Sequence, residues 1–425
     1  MTASALPFEA IADARTFTDP AALHALLAQI RKSDPLPYIQ ADDYAPFWLV
    51  SRHQDIMEIE RNAACFINAP RQAMLPLSYE MQARATAGGV ETAAVMRNLV
   101  LMDGAEHKAY RNITQSYFTP KGLSAIIGDI EKLAQEFIGR MDVNAEKEGA
   151  GGEIDFADVA MAFPLRVIMT MLGVPQEDEP LMMRLTQQTL SSQDPEFQAK
   201  GGARTAMMEM FAYFKTIIDD LRVTPNDTLA SLIANARVDG ELLPDRDVFG
   251  YFNIIATAGH DTTSYALTGG MLAFLQYPEQ LAKLRYDPEL MPLAVEEILR
   301  WTTPVKHFCR TAVENCQVAG KQIKAGDHFL LSFPSGSFDE AVYDDPFAFR
   351  IDRKPNRHLA FGTGPHVCLG QYLARFELQS FFRELLDRVE HIELAGTPRF
   401  VEGSFVGGVK YLPIRYKMHN STKGA

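Results

Sequence analysis

Phe361-Gly362-Thr363-Gly364-Pro365-His366-Val367-Cys368-Leu369-Gly370 gathers three glycines and one cysteine into ten residues, directly ahead of a helical stretch. The pattern F-G-x-G-x-H-x-C-x-G uses scarce residue types, in a chain of 425 residues with 26 Phe, 28 Gly, 10 His and 4 Cys. Those frequencies give a chance match on the order of one in a million. Thiolate is the metal-binding form of cysteine, and a helix start favours it with free N–H groups and a positive dipole end. Leu369, Leu373, Phe376 and Leu378, interleaved with Arg375 and Glu377, predict an amphipathic helix over 369–386 that begins beside Cys368. Gly362, Gly364 and Gly370 lack Cβ atoms, so backbone can approach a flat, bulky group, and Phe361 is placed to shield the sulfur. The alternatives are a buried structural cysteine and zinc. Zinc is the weaker, because Cys65, Cys309, Cys316 and Cys368 form no C-x-x-C pair.

A hydrophobic content of 47% over 425 residues supports a large core, and no linker, repeat or low-complexity run divides it. The N-terminus carries Glu9, Asp13 and Arg15 without a long apolar run, so it does not read as a signal peptide. No apolar run approaches the ~18 residues of a membrane span. Four scattered cysteines point to a reducing, cytoplasmic setting, and a net charge of −13 disfavours nucleic-acid binding.

Two short strands are predicted over 36–52 around Ala41-Asp42-Asp43, followed by a helix over 53–65. The stretch 74–101 has broken periodicity and reads either as loops and short helices over a cavity or as a plain surface excursion. Helices are predicted over 123–141, 156–172, 179–190 and 206–221, with strand-like runs at 316–333 and 410–417. The class is mainly α with a minor β part.

A long apolar helix over 247–274 contains Ala258-Gly259-His260-Asp261-Thr262-Thr263. Glycine costs ~0.5–1 kcal/mol in a helix centre, and threonine can bond back to the preceding turn. A local use for that cost, or a plain helix bend with a polar patch, are both open on these residues alone.

With the cysteine loop, this order of motifs resembles the cytochrome P450 haem-thiolate monooxygenases. The resemblance implies one P450 domain over 1–425, haem b held between two long helices, and Cys368 as the axial iron ligand. It implies a widened helix groove in which Ala258 and Gly259 give room, Thr262 hydrogen-bonds the oxygen intermediate and Asp261 relays protons. Glu297-Ile298-Leu299-Arg300 fits the family's E-x-x-R helix, a folding support completed by Arg353 or Arg357. His107 and Arg111 at i, i+4, together with Arg310 and His366, match propionate contacts, and Phe361 and Gly362 belong to the same haem cradle. The chain departs from the family's usual residues at Gly104-Ala105, Ser337-Phe338 and Arg350.

On this reading Ala258, Val305, Phe308, Phe405 and Val406 border a compact hydrophobic substrate pocket. TAGHDTTS, RWTTPVK, NRHLAFG and FVGG are similar to the terpineol-hydroxylating branch of the family, which implies a monoterpenoid or alkyl-aromatic substrate. The 57 residues after Cys368 hold no flavin module, so electrons are expected from a ferredoxin-type donor with a flavoprotein reductase, and Arg353, Lys354 and Arg357 are candidates for its docking patch. A haem-thiolate sensor and a peroxide-driven peroxygenase are the competing functions. The Asp261-Thr262 pair counts against both.

Overall fold

Capped helices carry most of the chain in a computed structural model that describes residues 6–78, 97–148 and 151–419. The longer helices are α1 (Pro20–Ser33), α2 (His53–Arg61), α3 (Gly104–Thr114), α4 (Ile127–Glu148), α5 (Phe156–Met171), α6 (Glu179–Leu190), α7 (Ala203–Val223), α8 (Asp245–Gln276), α9 (Met291–Thr302) and α10 (Gln371–Arg388). Their ends follow local chemistry. Asp19 caps α1 by accepting from the Ala22 N–H, and Asp155 caps α5 through the Ala157 N–H. Gly173, at φ +73°, turns the chain after α5.

Helix α8 is 32 residues long, which at 1.5 Å per residue is about 48 Å. It starts with Asp245 and Asp247 at its positive end and is buried on nearly every side from Val248 to Phe274. Helices α5, α9 and α10 pack around it, with Phe163, Phe274, Phe381 and Phe382 in the shared core.

The strands β1 (Tyr38–Ile39), β2 (Phe47–Val50), β3 (Phe66–Ile67), β4 (Gly151–Asp155), β5 (His307–Ala312), β6 (His328–Ser332), β7 (Val389–Leu394) and β8 (Pro413–Met418) make the two larger sheets of the minor β part, beside short two-stranded pairs. One sheet runs β1-β2-β6-β5-β3, with only the β2–β6 pair parallel, and a second runs β7-β8-β4. The mainly α, minor β class stands as read from the sequence.

Several predicted boundaries shift for tertiary reasons. The helix expected over 53–65 ends at Arg61, because the chain then extends to pair Phe66 with Ala312 of β5. The helix expected over 123–141 becomes a short turn, Pro120–Leu123, followed by α4. The helix after the cysteine begins at Gln371, leaving Cys368 in the loop before it. The run 316–333 divides into Cys316–Val318 and Lys321–Ile323, joined by a turn with Ala319 and Gly320 at positive φ, and then β6. Of the stretch 74–101, residues 79–96 lie outside the described residues.

Glu297 and Arg300 of α9 are fully buried, not the exposed surface pair their i, i+3 spacing allows. Arg300 donates to both Glu297 carboxylate oxygens at 2.8 Å, and Arg353 Nε lies 3.2 Å from each of them. The guanidinium groups also donate to the carbonyls of Ser337, Asp344, Asp345, Pro346 and Ala348, so the whole network is satisfied. Arg353 is therefore the third member. Arg357 is exposed, and its carbonyl faces His53 Nε2 at 2.8 Å.

Candidate active site

The loop before α10 folds on itself, with the Cys368 N–H donating to the Phe361 carbonyl at 2.9 Å. Gly364 sits at φ +69°, and a Cβ there would overlap the Glu60 carbonyl of α2. The glycine is thus required by protein packing as well as by any flat ligand. Cys368 opens onto a cavity of about 810 Å³, which Phe361, Gly362, His366 and Leu369 also line. Burial pushes the Cys368 thiol up, more strongly than the Gly370 N–H and the charges of Arg111 and Arg375 pull it down. The helix start alone does not make a thiolate here; a coordinated cation deprotonates such a thiol outright.

A second side of the cavity is cationic. His107 of α3 stacks on His366 at 3.9 Å between ring centroids. Burial, then the positive charges of His366 and Arg111, lower His107 to about 4, so its ring is a neutral donor. Arg111 Nη2 donates to the Val367 carbonyl at 2.8 Å. Arg310 of β5 pairs with Glu60 at 3.0 Å, both nearly fully buried. Glu60 also accepts from the Thr363 N–H, yet burial raises its carboxyl to about 7 against the pull of Arg310. Sequence reading missed Glu60, which no local motif marks.

Helix α8 supplies a third wall. Ala258, Gly259, Thr262 and Thr263 line the cavity, and the helix runs unbroken through them. The expected widening is absent: the helix is continuous from Asp245 to Gln276, and its threonines bond back without breaking the ladder, Thr262 Oγ1 donating to the Ala258 carbonyl at 2.7 Å and Thr257 likewise to Asn253. A Cβ on Gly259 would lie 2.5 Å from Ile168 Cδ1, so its missing side chain serves close packing of α5 on α8. Asp261 is buried and does not line the cavity; its Oδ1 lies 3.0 Å from His260 Nδ1.

Ala258, Val305, Phe308, Phe405 and Val406 all line the same cavity. Val305 and Val406 form a β-bridge, the Lys306 N–H donates to the Phe405 carbonyl at 2.7 Å, and Phe308 meets Phe405 edge to face at 5.4 Å. Residues 98–101 and the segment between α6 and α7, including Gln193 and Ala199, complete the lining. Glu377, an apparent surface position of α10, is instead fully buried at the cavity. Neither of its oxygens has a partner among the described residues, and burial holds its carboxyl well above the ordinary range.

A family model described as Cytochrome P450 matches residues 71–417. The chain belongs to the cytochrome P450 family. This P450 is 39% identical over 414 residues to Cytochrome P450-terp of a Pseudomonas species, covering 94% of this chain and 95% of that protein. It is 32% identical over 399 residues to a steroid C26-monooxygenase of Mycolicibacterium smegmatis, covering 92% and 90%. Among solved structures it is similar to CYP108D1 from Novosphingobium aromaticivorans, with a TM-score of 0.88 and 40% identity over 97% of this chain and 98% of that one.

This P450 is accordingly a monooxygenase, an oxidoreductase whose cofactor is haem b. The residues present fit that group. A cavity of about 810 Å³ lies within the ~300–1,000 Å³ of cofactor and small-molecule sites, and it offers a cysteine sulfur together with a flank of His107, Arg111 and Arg310 for carboxylates. Thiolate-bound haem iron activates dioxygen, the thiolate pushing electron density toward O–O cleavage.

Proposed function

We propose that this P450 inserts one oxygen atom from dioxygen into a C–H bond of a compact hydrophobic substrate, a monoterpenoid or an alkyl-aromatic hydrocarbon. The observation that carries the reading is that Cys368, the His107–Arg111–Arg310 flank, Thr262 and the apolar set Val305, Phe308, Phe405 and Val406 meet in one cavity. Cys368 would hold the haem iron through its sulfur. His107, Arg111, Arg310 and His366 would take its carboxylates, and Phe361 and Gly362 would close the loop over the sulfur. The Thr262 hydroxyl spends its proton on Ala258, so its oxygen is left to accept a hydrogen bond from water or a protonated oxygen in the cavity. Ala258 keeps that space open, and Asp261 supplies protons from behind the helix.

The substrate class rests on the higher identity to P450-terp than to the steroid enzyme, and on small and apolar groups around Ala258. Two electrons come from a ferredoxin-type donor with a flavoprotein reductase. Arg353 takes no part in docking, because Glu297 holds it in the interior; Lys354 and Arg357 are the exposed cations of that loop. The chain acts as one domain over 1–425 in the cytoplasm, with no nucleic acid and no membrane as partner. Among the described residues no helix is long and apolar enough to cross a membrane.

Titrating the haem spin state with monoterpenoids, alkylbenzenes, fatty acids and steroids tests the substrate class. Monoterpenoids or alkylbenzenes should give the full low-to-high-spin change at the lowest concentrations. A response confined to fatty acids or steroids overturns it.

A further inference from the structure

His307 is the first residue of β5 and lies between Val305 and Phe308 of the cavity lining, yet its own side chain does not line the cavity. It is 1% exposed, and both of its ring nitrogens are engaged. The Met74 N–H meets Nε2 at 3.0 Å, and a backbone N–H can only donate, so Nε2 is the bare nitrogen. Nδ1 lies 2.9 Å from the Ser404 carbonyl, which can only accept, so Nδ1 carries the hydrogen. One neutral tautomer satisfies both partners. Burial favours that form, lowering the imidazole to about 4 against the pull of the Ser404 carbonyl.

The two partners come from distant parts of the chain: Met74 is 233 positions before His307, and Ser404 is 97 positions after it. Met74 lines the cavity, as do Phe405 and Val406, which follow Ser404. Neither Met74 nor Ser404 lies in a helix or a strand, so tertiary bonds place them. Backbone bonds tie each segment separately to the 306–309 stretch, from the Cys309 N–H to the Gln72 carbonyl at 2.8 Å and from the Lys306 N–H to the Phe405 carbonyl at 2.7 Å. The His307 ring joins the two segments to each other, and it also lies 5.4 Å from the Phe405 ring. The connection continues beyond Ser404, whose N–H and hydroxyl both donate to Gln193 Oε1, at 2.8 and 3.0 Å. Gln193 is itself part of the lining, in the segment between α6 and α7. Three walls of the cavity are thus held in series through one imidazole and one serine.

We propose that His307 is a specificity-determining positioning residue: rooted in β5, its ring sets the spacing between the Met74 loop and the Phe405 turn, and so decides which substrate sizes the pocket accepts. The proposal rests on the reading of this cavity as the substrate pocket. Without the ring nitrogens, a buried N–H and a buried carbonyl lose their partners, a state that the loop and the turn relieve by shifting or by admitting water.

The test uses the haem-loaded protein and three variants. His307→Phe keeps a ring but neither bond. In His307→Gln the carboxamide reaches the Nε2 position and can accept from Met74; in His307→Asn it takes the Nδ1 position and can donate to Ser404. Each protein is titrated with monoterpenoids, alkylbenzenes and long-chain fatty acids, read by the haem spin state. In His307→Phe the preference for compact ligands over fatty acids should fall about tenfold, the scale of one buried hydrogen bond, with the thiolate-type spectrum of the reduced carbon monoxide complex retained. His307→Gln and His307→Asn should each recover part of that preference. An unchanged preference in His307→Phe, an equal loss for every ligand, or recovery in neither carboxamide variant overturns the proposal. A wild type that responds only to fatty acids or steroids removes the compact-substrate reading by itself, and the positioning role then stands or falls on whether the same variants shift the ratio of smaller to larger members of the class that binds.

Discussion

The loop side of the cavity and the α8 side are built by different physics. Around Cys368 the backbone is over-determined: Gly364 fits beneath Glu60, Glu60 holds Arg310 and the Thr363 N–H, and the Glu297–Arg300–Arg353 network fixes the chain just upstream. Along α8 and the turn at Phe405 the surface is mostly apolar, held by packing and by hydroxyls bonded back to their own helix. The first side suits a cofactor that must sit in one place. The second can change its side chains, and hence its substrate, without disturbing the first.

Cutting the charged side should have the largest effect. Glu297→Ala leaves Arg300 and Arg353 buried without their anion, and loss of one partner from such a network costs about 3–5 kcal/mol. Chemical denaturation of the haem-loaded protein measures it; a loss under about 1 kcal/mol would mean that the carbonyl ring around the two arginines suffices.

Glu60 gives the same side a pH signature. Its folded carboxyl titrates near 7, above its unfolded value of 4.5, so the folded state binds the extra proton between those values. Stability from this group is present below pH 4.5 and declines as pH rises toward 7. At 1.36 kcal/mol per unit the decline is at most about 3 kcal/mol. In Glu60→Gln that slope should vanish from stability measured between pH 4.5 and 7, and an identical slope in both proteins would assign it elsewhere.

The α8 side should respond in chemistry more than in stability. Thr262→Ala should keep consuming reducing equivalents while product falls about a hundredfold, the low end of positioned proton-transfer effects, and peroxide takes its place. Full coupling after that change contradicts the role given to the hydroxyl. Gly259→Ala should cost about 1 kcal/mol by forcing Ile168 aside, with partial recovery in the Gly259→Ala, Ile168→Val double variant; no recovery would show that the strain lies elsewhere.

The same contrast explains what could be read before the structure was known. Cys368 and its loop are contiguous, and His107 with Arg111 share a helical face, so local spacing exposes them. Val305, Phe308 and Phe405 were reached only through the order of motifs around them. Glu60 escaped notice because its partner Arg310 lies 250 positions away. Glu377 reads as a polar position on an amphipathic helix, and only the packing of α10 shows that it is buried. Asp261 stood out through its motif, but only the fold shows that it lies outside the cavity lining, with Oδ1 beside His260 Nδ1.

The central claim is that Cys368 is the haem iron ligand. The reduced carbon monoxide spectrum of wild type beside Cys368→Ser tests it most directly. Wild type should give the thiolate-type Soret band, and the variant should bind haem yet lose that band and all hydroxylation. A thiolate-type band that survives in Cys368→Ser would contradict the account.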